Sequence, residues 1–437
     1  MIYPTRRAIL LAALGMPLAL GLGLLAPGWW LAGVAWALFS LVLVLADAFL
    51  GKDRHRLEVQ TVAPGVIGAG RSAEVLFKLA FAGRGAPSRI ELALDADARL
   101  GASPRRRGTQ LRQGSGLASF TLRPERRGER LMQRLWLRWR GPLGLAWKQR
   151  VDTLDRVVRV TPDVQGVKDE AIRMYSRDAS FGMRSQREQG EGAEFQALRE
   201  FQTGMDPRTI DWKQSARHAM LLAKEFRTER NHPIVFAIES GRLMCEPLAG
   251  LPRVDHALNS ALLLAYVALK TGDRVGVFAF DAKPRLMTGT VSGVAAFSAL
   301  QRMAAAIDYS MEEANYTLGL THLSGALERR SLVVVFTDFA DSTSAELMIE
   351  NVTRLLKRHL VLFVVFRDEQ LENLTDAEPE TGDDISRAVI ADALLREREV
   401  VIARLRRLGV QIVDAPAHRL GPELLSRYLD LKRRDML

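Results

Sequence analysis

Two long apolar runs open the chain. Residues Ala8–Ala26 and Trp29–Leu50 are almost wholly apolar, and each run is about long enough to cross a hydrocarbon core as a helix. Pro27–Gly28, between them, is typical of a turn. We therefore predict a transmembrane helical hairpin over residues 1–51. Asp47 lies near the end of the second run, where we expect its carboxylate to reach the membrane interface.

Positive charges flank the two runs and are absent from the turn between them. These charges are Arg6 and Arg7 before the first run, and Lys52, Arg54 and Arg56 after the second. The positive-inside rule then places both ends in the cytoplasm, as in a multi-pass protein of the bacterial inner membrane. The alternative is a cleaved signal peptide that extends to about Pro27.

Residues 52–161 have the alternation of β-strands. Leu57–Gln60 and Ala73–Ala80 alternate, and Arg134–Arg140 places Leu135, Leu137 and Trp139 on one face with arginines on the other. Glycine and proline separate the runs, which predicts a small antiparallel β-sandwich-like domain. The arginines form either a solvated strand face or a surface that meets lipid headgroups.

From about His232 the pattern changes to strands that alternate with helices. This alternation predicts a Rossmann-type α/β domain over residues 232–437, with a mostly parallel sheet and ligands at the carboxyl ends of its strands. Val291–Ala306 is predicted as a helix and Asp368–Asp384 as an acidic surface loop. The helix within Ile385–Leu408 has an apolar stripe, which predicts a packed face.

Composition narrows the function. The 437 residues carry a formal net charge of +10, but the arginines are scattered and no nucleic-acid motif accompanies them, so we expect no nucleic-acid partner. Cys245 is the lone cysteine, which excludes an intramolecular disulfide framework. The sequence lacks a Walker loop, a G-x-S-x-G elbow, H-E-x-x-H and C-x-x-C. We therefore expect a non-enzymatic protein, with an unrecognised hydrolase as an alternative.

The stretch Leu198–Phe226 is the densest in specific residue types. Asp206 followed by Pro207 is typical of a helix start, so Arg208–Ala219 is predicted to be a short helix. Leu221–Phe226 is predicted to be extended. Trp212 is a large amphipathic side chain within this charged run, a residue type common at interfaces.

This stretch resembles the signature of domain-of-unknown-function family 58 (DUF58), membrane proteins associated with MoxR-type AAA+ ATPases. The matching residues are Arg199, Glu200, Phe201, Gly204, Asp206, Pro207, Arg208, Ile210, Asp211, Trp212, Lys213, Ser215, Ala216, Arg217, Lys224, Glu225 and Phe226. Met205 replaces a usual acid. Gly141–Leu145 is similar to the family motif D-P-F-G-L, with Gly141 in place of the acid and Leu143 in place of the Phe.

The resemblance implies a von Willebrand factor A-like domain over residues 232–437. Such domains commonly hold a divalent cation, and the corresponding residues here are Glu239, Thr317 and Asp338. Gly241 and Leu243 stand where serine ligands are usual, so this is a degenerate site and we expect neither a cofactor nor Mg²⁺ binding. A metal-dependent adhesion-type binding module is the alternative.

The resemblance also implies a role. It indicates a membrane-anchored, non-enzymatic adaptor or scaffold that works with a MoxR-type ATPase in envelope-protein assembly or maturation. Within a linker at residues 162–231, the expected partner-binding residues are Arg208, Asp211, Trp212, Lys213 and Arg217. The alternative is that this segment is a structural clip between domains.

Overall fold

A computed structural model gives the fold of most of the chain. It describes residues 2–25, 31–51, 53–82, 86–163, 166, 169, 173, 194–202, 205–227, 232–339, 342–434 and 436–437. Pro27–Gly28, Lys52 and Gly204 lie outside the described residues. The chain divides into two compact units, Met1–Asp163 and Val164–Leu437, and each is described by itself.

Both apolar runs at the start of the chain are helical. Helix α1 covers Arg6–Leu25 and helix α2 covers Leu31–Leu50. The two helices pack together, and the indole nitrogen of Trp36 donates to the carbonyl oxygen of Leu11 at 2.9 Å. Most of their other apolar side chains are exposed. In the part of the chain that the structure describes, one helical stretch is long and apolar enough to cross a membrane. It is Leu31–Arg56, which contains α2 and the short turn after it.

The side chain of Asp47 is fully buried against the β-structure. Its carboxylate accepts backbone hydrogen bonds from Leu143, Leu145 and Ala146 at 2.6, 2.7 and 2.7 Å. Three N–H donors compensate the loss of water around a buried carboxylate. Asp47 therefore ties the end of α2 to the loop at residues 141–145.

Two sheets form the rest of the first unit. The strands are β1 Ile2–Pro4, β2 Leu57–Val62, β3 Val66–Gly68, β4 Ala73–Phe81, β5 Arg89–Ala96, β6 Arg106–Gln110, β7 Ser115–Leu122, β8 Gly128–Arg140 and β9 Ala146–Thr161. One sheet has the order β1-β9-β8-β5-β6, with β3 also paired to β9, and the other has the order β2-β4-β7. Among the described strands of this unit, the β3–β9 pairing is parallel and the other pairings are antiparallel.

The two sheets face each other across an aromatic core. Phe81 on β4 packs edge to face on Trp139 of β8, with ring centroids 5.3 Å apart. Leu135, Leu137 and Trp139 are fully buried, which confirms the alternation predicted for this strand. The inward face of β8 is apolar and its outward face carries the arginines, so one strand contributes both to the core and to a basic surface.

The second unit is built on a seven-stranded sheet. Its strands are β12 Pro233–Glu239, β15 Arg274–Phe280, β16 Pro284–Met287, β17 Val291–Ser292, β18 Leu332–Phe336, β19 Leu360–Arg367 and β20 Gln411–Pro416. The order is β16-β15-β12-β18-β19-β20, with β17 also paired to β15. The five strands other than β16 and β17 pair in parallel, as the sequence predicts. Two further pairs are β10 Glu194–Glu200 with β11 Leu222–Arg227, and β13 Pro247–Leu248 with β14 Leu251–Pro252.

Helices cover both faces of this sheet. In chain order the helices of the second unit are α3 Trp212–His218, α4 Arg253–Lys270, α5 Phe297–Ala305, α6 Tyr316–Ala326, α7 Ser342–Leu356, α8 Glu369–Asp376, α9 Gly382–Arg407 and α10 Leu420–Arg433. Helices α4, α5 and α10 pack on one face of the sheet, and α6, α7 and α9 pack on the other. Alternate residues of β12 point to opposite faces: Phe236 packs with α4 and α10, and Val235 packs with α6 and α7. A continuous apolar strand buried on both sides is typical of a parallel sheet.

Several local predictions are wrong in part, each for a visible reason. Val291–Ser292 is a strand, because it pairs with β15 before Gly293, at φ 80°, breaks the backbone direction. The Asp368–Asp384 segment contains helix α8, which Asp368 caps by accepting from Gln370 N at 3.1 Å.

The apolar stripe of α9 is only half packed. Val389 is 63% exposed and Leu394 41% exposed, whereas Val401 and Leu405 are buried. The buried pair belongs to the cluster formed with α7 and the sheet. The C-terminal half of α9 therefore contributes this buried pair to the cluster, whereas Val389 and Leu394 face solvent.

Candidate functional site

The signature segment lies between two paired strands, β10 and β11. Leu198 is opposite Lys224 in this antiparallel pair. The predicted helix over Arg208–Ala219 is interrupted, because Ile210 has an extended backbone and bridges Ala223. A 3-10 turn therefore comes first, and α3 begins only after Asp211.

Acidic and hydroxyl side chains hold this segment in shape. Asp206 accepts from Arg208 N at 2.9 Å, and Asp211 accepts from the backbone N–H groups of Lys213 and Gln214, each at 3.1 Å. The hydrogen bond from Gln214 is the largest of the causes that lower the pKa of Asp211. Asp211 also pairs with Lys224 at 3.4 Å. The carboxylate of Asp211 is thus engaged within the segment.

Ser215 is the buried link between α3 and β11. Its hydroxyl donates to the carbonyl of Asp211 at 2.7 Å and accepts from Leu222 N at 2.9 Å. Ala219 ends the helix in the left-handed conformation at φ 53°. The backbone of the segment is therefore fixed by caps and strand pairing rather than by an apolar core.

Four of the five predicted partner-binding side chains point to solvent. Arg208, Trp212, Lys213 and Arg217 are exposed, and Trp212 is 69% exposed. Met220 and Leu221, which follow the helix, are each nearly half exposed. We call these six residues the signature surface. A tryptophan that packs so little of its ring contributes little to folding, and it is a residue type that often dominates interfaces.

The predicted metal ligands lie at or near the carboxyl edge of the seven-stranded sheet. Glu239 ends β12 and is fully buried, and its carboxylate accepts from the hydroxyls of Tyr316, at 3.0 Å, and Thr337. Burial raises the pKa of Glu239 to about 7. The hydroxyls beside Glu239 thus come from Tyr316 and Thr337, whereas the predicted ligand Thr317 accepts from the amide of Asn351 at 3.1 Å.

Asp338, the third predicted ligand, is paired with a guanidinium. Arg253, the first residue of α4, lies 2.9 Å from Asp338, 3.1 Å from Asp368 and 3.5 Å from Glu246. Burial raises the pKa of Asp338 and the charge of Arg253 opposes this effect. Nothing in the sequence marked Arg253, since its carboxylate partners follow three different elements and meet only in the fold.

This edge does not fit a resident divalent cation. Gly241 and Leu243 offer no side-chain oxygen, Glu239 is satisfied by two hydroxyl donors, and a cationic side chain already contacts Asp338. Among the described residues, no group of three or more His, Cys, Asp or Glu side chains is placed to hold a metal ion. A hard cation needs several converging oxygens, and here the positive charge comes from Arg253.

Solved structures offer only weak similarities to this chain. BatB from Bacteroides thetaiotaomicron has 12% identity and a TM-score of 0.24, covering 31% of this chain and 67% of that one. The vWF domain of the type V pili tip protein Mfa5 from Porphyromonas gingivalis has 15% identity and a TM-score of 0.21, covering 25% of this chain and 38% of that one.

A third similarity has broader coverage. An aerotolerance-related membrane protein from Bacteroides fragilis NCTC 9343 has 11% identity and a TM-score of 0.27, covering 44% of this chain and 98% of that one.

The comparison with curated proteins found no match. The family model described as "Protein of unknown function DUF58" matches residues 197–400. This region includes the whole stretch Leu198–Phe226, Glu239 at the end of β12, Asp338 after β18, and most of α9. The resemblance to the DUF58 family is therefore confirmed over residues 197–400 of this chain.

Proposed function

We propose that this chain is a membrane-anchored, non-enzymatic adaptor that works with a MoxR-type AAA+ ATPase in envelope-protein assembly or maturation. The observation that carries the proposal is the exposed Trp212 among Arg208, Lys213 and Arg217, on a backbone fixed by Asp211 and Ser215. Tryptophan and arginine are the residue types enriched at interface hot spots. A preformed surface also loses little conformational entropy on binding.

The charges and the apolar side chains of the signature surface indicate what kind of surface it binds. It presents three cations and a small apolar group made of Trp212, Met220 and Leu221. We therefore infer that the partner presents acidic residues around an apolar recess. The acidic residues would attract the three cations, and the recess would bury the indole of Trp212 away from water. We assign Asp211 a structural role within the segment instead of a role in partner binding, because its carboxylate already caps α3 and pairs with Lys224.

The anchor in this proposal is the pair of helices α1 and α2. Their exposed apolar side chains, such as Leu24 and Phe49, favour a hydrocarbon surrounding. Arg6, Arg7 and Arg54 lie exposed at the ends of the pair, which favours a cytoplasmic location for both ends. Reporter fusions after Lys52 and at Leu437 test this orientation, and a periplasmic signal from either site contradicts it.

A non-enzymatic role agrees with the chemistry of the second unit. The thiol of Cys245 is buried, and the carboxylates at the sheet edge are engaged by hydroxyls and by Arg253. The adhesion-type alternative requires a divalent cation, and the donor set at Glu239 does not favour one.

The partner surface is tested by co-purification of the full chain with the MoxR-type ATPase from membranes. Trp212→Ala and Arg208→Ala are expected to reduce the captured ATPase by about tenfold or more, because hot-spot truncations cost about 2 kcal/mol. Both variants should melt like the parent, since surface substitutions change stability by about 0.5 kcal/mol or less.

Arg396→Ala is the matched control. Arg396 is also exposed in the second unit, where it pairs with Asp392 at 2.8 Å. The Arg396→Ala variant should capture as much ATPase as the parent. Full capture by Trp212→Ala and Arg208→Ala contradicts the proposed docking surface, and early unfolding of either variant assigns that residue to the structural clip instead.

A further inference from the structure

An open pocket of about 570 Å³ lies at the C-terminal end of α2. Its walls include Leu50 and Gly51 from the helix end, Arg89 and Glu91 from β5, and Arg140 and Trp147 from β8 and β9. Its volume is in the range of small-molecule sites. The pocket therefore adjoins the point where the apolar helix meets the β-structure of the same unit.

Two arginines in this pocket are available to a ligand. Arg89 and Arg140 are exposed, and within the described part of the chain no carboxylate pairs with either of them. The third charged residue of the pocket wall, Glu91, forms an ion pair with Arg138 at 2.6 Å. Lys148, outside the wall, donates to the carbonyl of Gly51 at 2.5 Å. The free charge of the pocket is thus positive.

Trp147 forms the aromatic wall of the pocket. The guanidinium of Arg140 lies 4.7 Å from the centre of the Trp147 ring and that of Arg138 lies 4.6 Å from it. Stacking on the indole orients the planar guanidinium of Arg140 and leaves its N–H edge for a second acceptor. Guanidinium groups match the oxygens of a phosphate in this way.

The rim of the pocket is apolar on the side of the helix. Leu50 in the pocket wall is 70% exposed, and Leu143, which follows the wall residue Pro142, is 52% exposed. Arg7, at the start of α1, lies beside the same loop, with its guanidinium 3.7 Å from a Cβ built at Gly144. Apolar side chains next to arginines and a tryptophan are typical of the level where acyl chains meet headgroups.

We propose that this pocket binds the phosphate of an anionic phospholipid, held by Arg89 and Arg140, with the acyl chains lying along Leu50 and the end of α2. Trp147 lies at headgroup level and fixes the orientation of Arg140. The inference rests on the proposed anchoring of α2 in a membrane. It assigns the outward arginines of this end of the sheet to lipid rather than to solvent.

Lipid binding is tested by native mass spectrometry of the full chain in detergent, titrated with phosphatidylglycerol or phosphatidylcholine. Phosphatidylglycerol should bind more tightly than phosphatidylcholine. Arg89→Gln and Arg140→Gln should each weaken its binding by about fivefold, the effect of one basic residue at an anionic surface. Arg159→Gln is the control, because Arg159 is an exposed arginine at the other end of β9 and pairs with Glu129 at 3.0 Å.

Three outcomes overturn the proposal: equal binding of the two lipids, an equal loss in Arg159→Gln, or full competition by millimolar inorganic phosphate, which assigns the pocket to a free anion. Circular dichroism of each variant reports folding, so a lost affinity with a parent-like spectrum belongs to the pocket. Fractionation of cells reports the anchoring itself. If the chain stays in the membrane fraction but shows no lipid selectivity, lipid binding in the pocket is contradicted and membrane anchoring is not.

Discussion

The carboxylate of Asp47 lies against Gly141, and a Cβ added at position 141 would come within 2.4 Å of Asp47 Oδ1. The loop that contains Gly141 is the one that resembles the family motif D-P-F-G-L. The acid usual in that motif is absent from the loop, and a carboxylate from α2 lies there instead. Glycine at position 141 is thus required by a close approach of two chain segments.

Removal of this carboxylate should weaken the attachment of α2. In Asp47→Ala the N–H groups of Leu143, Leu145 and Ala146 lose their acceptor. A buried donor left unsatisfied costs about 1–3 kcal/mol, so we expect a loss of about 3 kcal/mol or more. Thermal unfolding of the full chain in detergent measures it. Asp53→Ala, which removes an exposed acid with no cap hydrogen bond, should melt like the parent, and equal melting of both variants contradicts the role of Asp47.

The sequence was most informative where one repeating pattern of apolar and polar residues decides which side chains are buried. The burial of alternate residues in β8 and the parallel sheet after His232 followed from the pattern of apolar and polar residues, because sheet geometry imposes one pattern on every residue of a strand. The contacts of Asp47 and Arg253 did not follow, since each depends on groups about 100 residues away or on several elements at once. The helix at Glu369–Asp376 was missed because it is short and mostly polar, with Leu371 and Leu374 as its two apolar side chains.

Stability of the second unit should depend on the ionisation of Glu239. Its folded pKa of about 7 lies above the ordinary value of 4.5, so the folded state favours the protonated form. The contribution of this group is full below pH 4.5 and is lost as the pH rises through about 7. The difference corresponds to about 3 kcal/mol. Glu239→Gln, which keeps a neutral acceptor, should therefore melt close to the parent in acid and roughly 6–12 °C above it at alkaline pH.

The matched control for this titration is Glu313→Gln, since Glu313 is highly exposed in the same unit. Its melting temperature should follow that of the parent at every pH. A constant difference between Glu239→Gln and the parent across the same pH series would show that folding does not raise the pKa of Glu239.

His359 should give the opposite pH dependence. Its side chain is buried, and neither ring nitrogen has a hydrogen-bond partner among the described residues. Burial lowers its pKa below 6.5, with a smaller effect of Arg358. The folded state thus favours neutral imidazole, and this contribution is present above pH 6.5 and lost as the pH falls. The stability of His359→Leu relative to the parent should therefore increase as the pH falls below 6.5, as measured by thermal unfolding.

The exposed His418 supplies the control for that measurement. His418→Gln should show no such gain in acid. The assignment to His359 is contradicted if His359→Leu and the parent lose stability in parallel as the pH falls.

Arg253 should be required for folding of the sheet edge. Arg253→Met leaves Asp338 and Asp368 without the cation that contacts them at 2.9 and 3.1 Å. Removal of one partner of a buried ion pair costs about 3–5 kcal/mol, because the remaining charge stays desolvated. Adding Asp338→Asn to Arg253→Met should restore part of this loss in thermal unfolding. Additive effects of the two substitutions would show that Arg253 and Asp338 are not coupled.

The guanidinium of Arg253 also bears on metal binding. A divalent cation at Asp338 would need converging oxygens, but Gly241 and Leu243 provide none and the repulsion from Arg253 adds to the cost. We therefore expect no saturable heat when the full chain is titrated with millimolar Mg²⁺ in a calorimeter. Asp338→Ala serves as the comparison, because it removes the one predicted ligand that contacts Arg253. A saturable signal in the parent that disappears in Asp338→Ala would mean that the cation displaces the guanidinium, and the adhesion-type module would then replace the adaptor as the better account of this domain.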